Sequence, residues 1–270
     1  MSRKLRYYLW IFGLVLQYQA FSQQAPAPGK TITNNSETWL GLYTKYRLSE
    51  KLFYYGEYNY RRRNQFINDM GQLYLRFGLT YLVNKQFEVT AGIVTPFYWA
   101  PDQEAPNIDK VVPQFRFWQQ FLLVQPINHV KLYHQFRLEQ RWRRDFTKNS
   151  SFDLTHRFRY KILAYVPLNS TELKQKTLFL ALSEEIFMQA GKTITYDHFE
   201  DNRVTAGLGY ILNDNIQLQL AYMWTFRHRG APNVYESRHI PRLSVYHNLD
   251  FFTKKLNRRK QAPVLLTENF

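Results

Sequence analysis

The feature that most limits what this chain can become is the length over which a two-residue alternation persists. In Leu73–Tyr81, Leu73, Leu75, Phe77, Leu79 and Tyr81 alternate with Tyr74, Arg76, Gly78 and Thr80. Ile216–Phe226 sets Ile216, Leu218, Leu220, Tyr222, Trp224 and Phe226 against Gln217, Gln219, Ala221, Met223 and Thr225. A period of two is an extended strand with unlike faces. Trp39–Leu48 and Phe87–Phe97 repeat it clearly. Leu52–Arg62, Gln114–Val124, Lys131–Arg143, Asp153–Tyr165, Thr177–Gln189, Asn202–Leu212 and Arg242–Phe252 follow it more loosely. That makes eleven candidate strands of about 10–13 residues. Helical periodicity is confined to Leu168–Lys176, with room for one turn.

The connections alternate in length. Ser49–Lys51, Asn84–Gln86, Pro126–His129 and Asn213–Asn215 are short. Arg63–Asp69, Ala100–Val112, Arg144–Phe152, Ala190–Glu200 and Arg229–Pro241 are long. Val166–Lys176 is long where a short turn is due. Short turns at one end and long loops at the other are the pattern of an outer-membrane barrel. The expected fold is therefore all-β: one antiparallel up-and-down transmembrane β-barrel of about 10–12 strands. Eleven strands would leave the first and last running the same way, whereas closed bacterial barrels take an even count. Twelve are expected, with the missing strand at Lys30–Asn35 or in the tail.

The N-terminus reads as an export signal. Arg3, Lys4 and Arg6 precede an apolar run from Tyr7 to Leu16, and small residues at Ala20 and Ser22 fit cleavage after Ser22. The run is too short to cross a bilayer as a helix. The expected organisation is a cleaved signal at 1–22, a flexible leader at 23–36, a barrel at 37–252 and a basic tail at 253–270. The formal charge of +15 hints at nucleic acid, but export removes that partner. With no cysteine there is no disulfide, thiol nucleophile or cysteine-held metal.

In a membrane barrel the apolar face of each strand meets lipid and the polar face lines the lumen. Much of the positive charge then falls inside. The expected lumen lattice is Glu57, Arg76, Arg137, Glu139, Arg141, Arg157, Arg159, Lys161, Glu185 and Arg203. Arg61–Arg63 are read as lying elsewhere. The lattice either plugs and stiffens the barrel or forms a path or pocket for small anions. The aromatic residues are read as the outer wall, with a girdle of Trp99, Trp142, Tyr222, Trp224 and Phe226. Outer-membrane lipid and, during assembly, the barrel-insertion machinery are the expected partners of a monomeric chain.

Four segments in order carry a resemblance: His134–Arg141 (HQFRLEQR), His156–Tyr160 (HRFRY), Ala181–Phe187 (ALSEEIF) and Asn202–Tyr210 (NRVTAGLGY). The order resembles the domain-of-unknown-function 2490 family of exported, β-rich proteins of Gram-negative bacteria. The resemblance implies an outer-membrane barrel and no particular activity.

Neither a Gly-x-Ser-x-Gly elbow, a His-Glu-x-x-His zinc helix nor a phosphate-cradling glycine loop occurs. No metal or cofactor is expected, and the chain reads as non-enzymatic. The function expected is a structural barrel or a narrow channel with an Arg/Glu-lined lumen. Two alternatives stand beside it. One is a membrane-embedded lipid or acyl hydrolase using Ser183, Glu184 or Glu185, and His156. The other is a soluble periplasmic barrel that binds a small ligand.

Overall fold

A computed structural model describes residues 29–194 and 196–252. The strands are β1 (Thr31–Arg47), β2 (Leu52–Arg63), β3 (Asp69–Asn84), β4 (Phe87–Trp99), β5 (Val111–Pro113), β6 (Phe115–Ile127), β7 (Val130–Arg143), β8 (Asp153–Pro167), β9 (Leu178–Ala190), β10 (Phe199–Ile211), β11 (Ile216–His228) and β12 (Val234–Asp250). Neighbours in sequence pair antiparallel, and β1 also pairs with β12, so the sheet closes on itself. β5 and β6 form one stave interrupted at Gln114. Both pair with β4 in a single register, in which Phe97 faces Pro113 and Val94 faces Arg116. The barrel thus has eleven staves.

The expected count of twelve is corrected, and so is the wholly antiparallel closure. In an up-and-down path an odd number of staves makes the first and last parallel. β1 and β12 pair that way from Thr31↔Val234 to Arg47↔Asp250. Lys30–Asn35 supplies no extra strand. Thr31–Asn35 is the start of β1, held by the backbone of β12, so strand structure begins within the segment read as a leader. Residues 1–22, Gln23–Pro28 and the tail at 253–270 lie outside the described residues.

The register fixes the tilt. A ladder from Phe53 passes through Thr80, Thr90, Gln120, Arg137, Arg159, Phe187, Asp201, Arg227 and Glu236 to Thr33. Phe53 itself faces Arg47, 14 residues further along β1. Such a stagger goes with staves inclined by ~35–45° to the barrel axis.

The outer wall is apolar at high exposure: Leu220 at 66%, Leu79 at 53% and Phe136 at 52%. The inner face divides in two. Near the short turns it is filled by Tyr43, Leu122, Tyr133, Leu163, Tyr165, Phe179, Ile211 and Tyr246, a floor across the lumen. Tyr43 stacks on Tyr246 at 4.9 Å, and Tyr165 meets Phe179 at 4.6 Å. The long link between β8 and β9 explains itself here. It carries Leu173 against this cluster, and its backbone is held by the Asn169 side chain, which donates to the Lys176 carbonyl and accepts from Leu178 N–H. The helical turn expected at Leu168–Lys176 is absent: the segment is bends and a turn.

Gly209 makes the floor possible. A Cβ there would lie 2.1 Å from the Phe179 ring. Gly209→Val should therefore destabilise the barrel by ~1–3 kcal/mol through overpacking. The urea midpoint of the detergent-purified protein reads this, and an unchanged midpoint would show that the ring does not need the gap.

Candidate functional site

Above the floor, inward positions on consecutive staves carry charge. Glu139 of β7 sits at the hub, its side chain fully buried. It meets Arg159 Nη1 at 2.8 Å, Arg76 Nη2 at 2.9 Å, Arg116 Nη1 at 3.3 Å and Arg157 Nη1 at 3.5 Å. One carboxylate thus ties β3, β6 and β8 to β7. Arg76 also reaches Glu57 at 3.1 Å, and Arg159 reaches Glu185 at 2.6 Å. Arg137 donates through Nε to Gln120 at 2.9 Å and lies over Trp118. Arg203 pairs with Asp201 at 2.8 Å. Lys161 is buried on the same inner face, directly opposite Glu185.

A second hub sits nearer the long loops. Arg141 meets Glu200 at 2.7 Å, and Arg157 clamps the same carboxylate through Nε, at 2.6 Å, and Nη2. Glu200 and Asp201 are consecutive, yet both serve the lumen. The register of β9 and β10 shifts between Phe199 and Asp201, so Glu200 is an extra residue of a β-bulge. Further round, Arg238 meets Glu37 at 3.0 Å and Asp201 at 3.3 Å, and Arg227 meets Glu236 at 2.6 Å. Below the floor cluster's edge, Lys45 and Glu88 form a buried pair at 2.7 Å.

All ten residues read as the lumen lattice project inward. Sequence reasoning missed Arg116, Glu200, Arg238, Arg242 and the Lys45–Glu88 pair. Arg116 was legible, since it alternates with Phe115 and Phe117. Glu200 was not, because the bulge breaks the alternation. Arg61 and Arg63, read as lying elsewhere, line the lumen.

The aromatics divide between two faces, which corrects their assignment to the outer wall alone. Trp39, Trp118, Phe179 and Phe187 are buried inside. Trp99, Trp142, Tyr222, Trp224 and Phe226 stand on the outward parity of their staves. Trp142 packs on Phe115 and Phe117, Trp224 on Phe226, and Tyr222 hydrogen-bonds His239. The hydrolase grouping is not assembled. Ser183 faces Leu163 within the β8–β9 ladder and lines the lumen, while His156 faces Ala190 at one end of that ladder.

Over the charged lattice the lumen opens into a cavity of about 450 Å³ on the long-loop side. Thirteen arginines and Lys161 line it, against six carboxylates. Adding the hub Glu139 still leaves an excess of seven positive charges. The result is a basic cup standing over the buried aromatic cluster.

Residues 36–236 match the family described as "Protein of unknown function (DUF2490)". The chain belongs to this family. No curated protein matches it. Among solved structures it is similar to LpxR from Salmonella typhimurium, at 11% identity over 72% of this chain and 83% of that one, with a TM-score of 0.43. The expectation that this chain is not an enzyme is withdrawn: catalytic groupings are defined by geometry and not by sequence motif, so missing motifs do not exclude catalysis.

The hub makes a sharp stability test. Glu139→Gln leaves its arginines buried around a neutral amide, and removing one partner of a buried ion pair costs ~3–5 kcal/mol. Glu50→Gln, at an exposed turn, should cost under ~0.5 kcal/mol. Equal urea midpoints for the two variants would show that the hub is not stabilising.

Proposed function

We propose that this protein is an outer-membrane barrel that presents a basic cup to anionic ligands at its long-loop mouth, which faces the cell exterior. The observation that carries this reading is the cup: fourteen basic side chains against six acidic ones around about 450 Å³, above a layer of buried rings. An Arg/Glu lattice that only stiffened the barrel would balance its charges, because uncompensated buried charge is costly. An excess of guanidinium groups in a water-accessible recess instead favours anions, and low-dielectric walls strengthen the attraction.

Residence in the membrane is supported by the outer wall. A band of exposed Leu, Ile, Phe and Tyr around the barrel suits lipid and not water. The export signal read at 1–22 and the outward girdle agree with that location. The band argues against the soluble periplasmic alternative. The floor argues against an open channel.

Two measurements test the cup. Inositol hexakisphosphate should raise the unfolding temperature of the detergent-purified chain, because a ligand that binds only the folded state stabilises it. The shift should shrink at molar NaCl. Absence of any shift with polyanions would remove the reading. In planar bilayers the protein should carry no steady current, whereas Tyr165→Ala combined with Phe179→Ala should open one. A steady current from the unmodified barrel would show that the floor does not close it.

A further inference from the structure

Within the cup one group of side chains is only thinly tied to the ion-paired lattice. The guanidinium carbon of Arg61 lies 3.5 Å from the centroid of the Trp39 ring, that of Arg203 at 5.4 Å and that of Arg242 at 5.8 Å. All four residues line the cavity. Three like charges thus converge on one indole from β2, β10 and β12, with β1 contributing the ring.

Their compensation is thin. Arg61 donates to Gln72 Oε1 at 2.7 Å, and its buried Nε has no hydrogen-bond partner. Arg242 donates to the Tyr43 hydroxyl at 2.8 Å. Arg203 alone meets a carboxylate, Asp201, and shares it with Arg238. The indole face offsets part of the repulsion through its negative quadrupole, and also holds the guanidinium groups in place.

We infer that the Arg61–Arg203–Arg242 cluster around Trp39 is a binding site for a phosphate group, the anchor of the ligand that the cup takes. This rests on the reading of the cup as an anion site. Each guanidinium is a planar fork of donors that suits oxyanions. A planar carboxylate presents two oxygens and is satisfied by one fork. A tetrahedral phosphate presents oxygens in several directions and can accept from donors that arrive from three staves. Its charge approaching −2 also matches the local excess better than a single carboxylate.

The phosphate can be free or part of a lipid headgroup, and the test separates these. The full chain in detergent is titrated calorimetrically with inorganic pyrophosphate, and with citrate as a carboxylate of comparable charge, while tryptophan emission is followed. Pyrophosphate should bind at least tenfold more tightly than citrate. Arg61→Gln and Arg242→Gln should each weaken it tenfold or more. Arg61→Lys, which keeps the charge and loses the fork, should recover only part of the affinity. Trp39→Phe should remove the emission change while heat of binding persists. Heat-modifiable mobility in gels establishes that each variant forms its barrel.

Displacement of pyrophosphate by phosphatidic acid in mixed micelles, and not by phosphatidylcholine, would support a headgroup as the source. Resistance to both would support a free phosphate. Pyrophosphate binding that is unchanged in folded Arg61→Gln and Arg242→Gln would overturn the cluster as the site and leave the cup reading standing. Citrate binding as tightly as pyrophosphate would overturn the phosphate preference. If no anion binds at all, both readings fall.

Discussion

Closing a sheet into a narrow barrel removes its edges but sends every second side chain into one enclosed column. Whatever occupies those positions must fill the column, pair within it or hydrate it. The buried carboxylate of Glu139 is where this constraint is met most economically. Four arginines converge on it, and three of them pass on to Glu57, Glu185 and Glu200. The network holds opposite walls at a set distance.

The column is thereby divided by chemistry along its length. Tyrosines and aliphatic side chains fill the end near the short turns, where Gly209 and the inward-folding link with Leu173 let them close up. Charge accumulates above them. A floor of rings supports the recess and excludes water from below, so the guanidinium groups act in a polarised, one-sided environment. The floor and the cup are two consequences of one alternating pattern whose inward residues change from aromatic to charged along staves such as β7 and β8.

Much of this was legible in the sequence where local pattern and tertiary outcome coincide. Arg137, Glu139 and Arg141 hold odd positions, with Leu138 and Gln140 between them and Phe136 and Trp142 on either side, so their common face follows from strand geometry alone. The rest failed for identifiable reasons. The opening of β1, Thr31–Ser36, is polar on both faces and becomes strand only because β12 offers it a backbone partner. Glu200 joins the lumen through a bulge that parity cannot anticipate. Trp39 and Phe187 looked like wall residues because an aromatic ring fits either side of a barrel. Strand parity puts both inside, on the faces of Tyr43 and Glu185, where neighbouring arginines lie over the rings. The direction of the closing pair was likewise invisible, because alternation within a strand is the same for parallel and antiparallel partners.

The parallel seam between β1 and β12 also bears on how the barrel forms. Every other pair of staves is joined by a local connection and can zip as a hairpin once its turn is made. The seam unites residues about two hundred positions apart, such as Leu40 and Leu243, with no turn to guide them. Pairings of such high sequence separation carry the largest loop-closure entropy and form slowly. The seam is therefore the clasp of the structure, fastened after the other staves are laid. Until then both of its edges expose unpaired backbone, the condition in which strands pair with the wrong neighbour. The polar, lengthened start of β1 gives that final closure a long register to settle into.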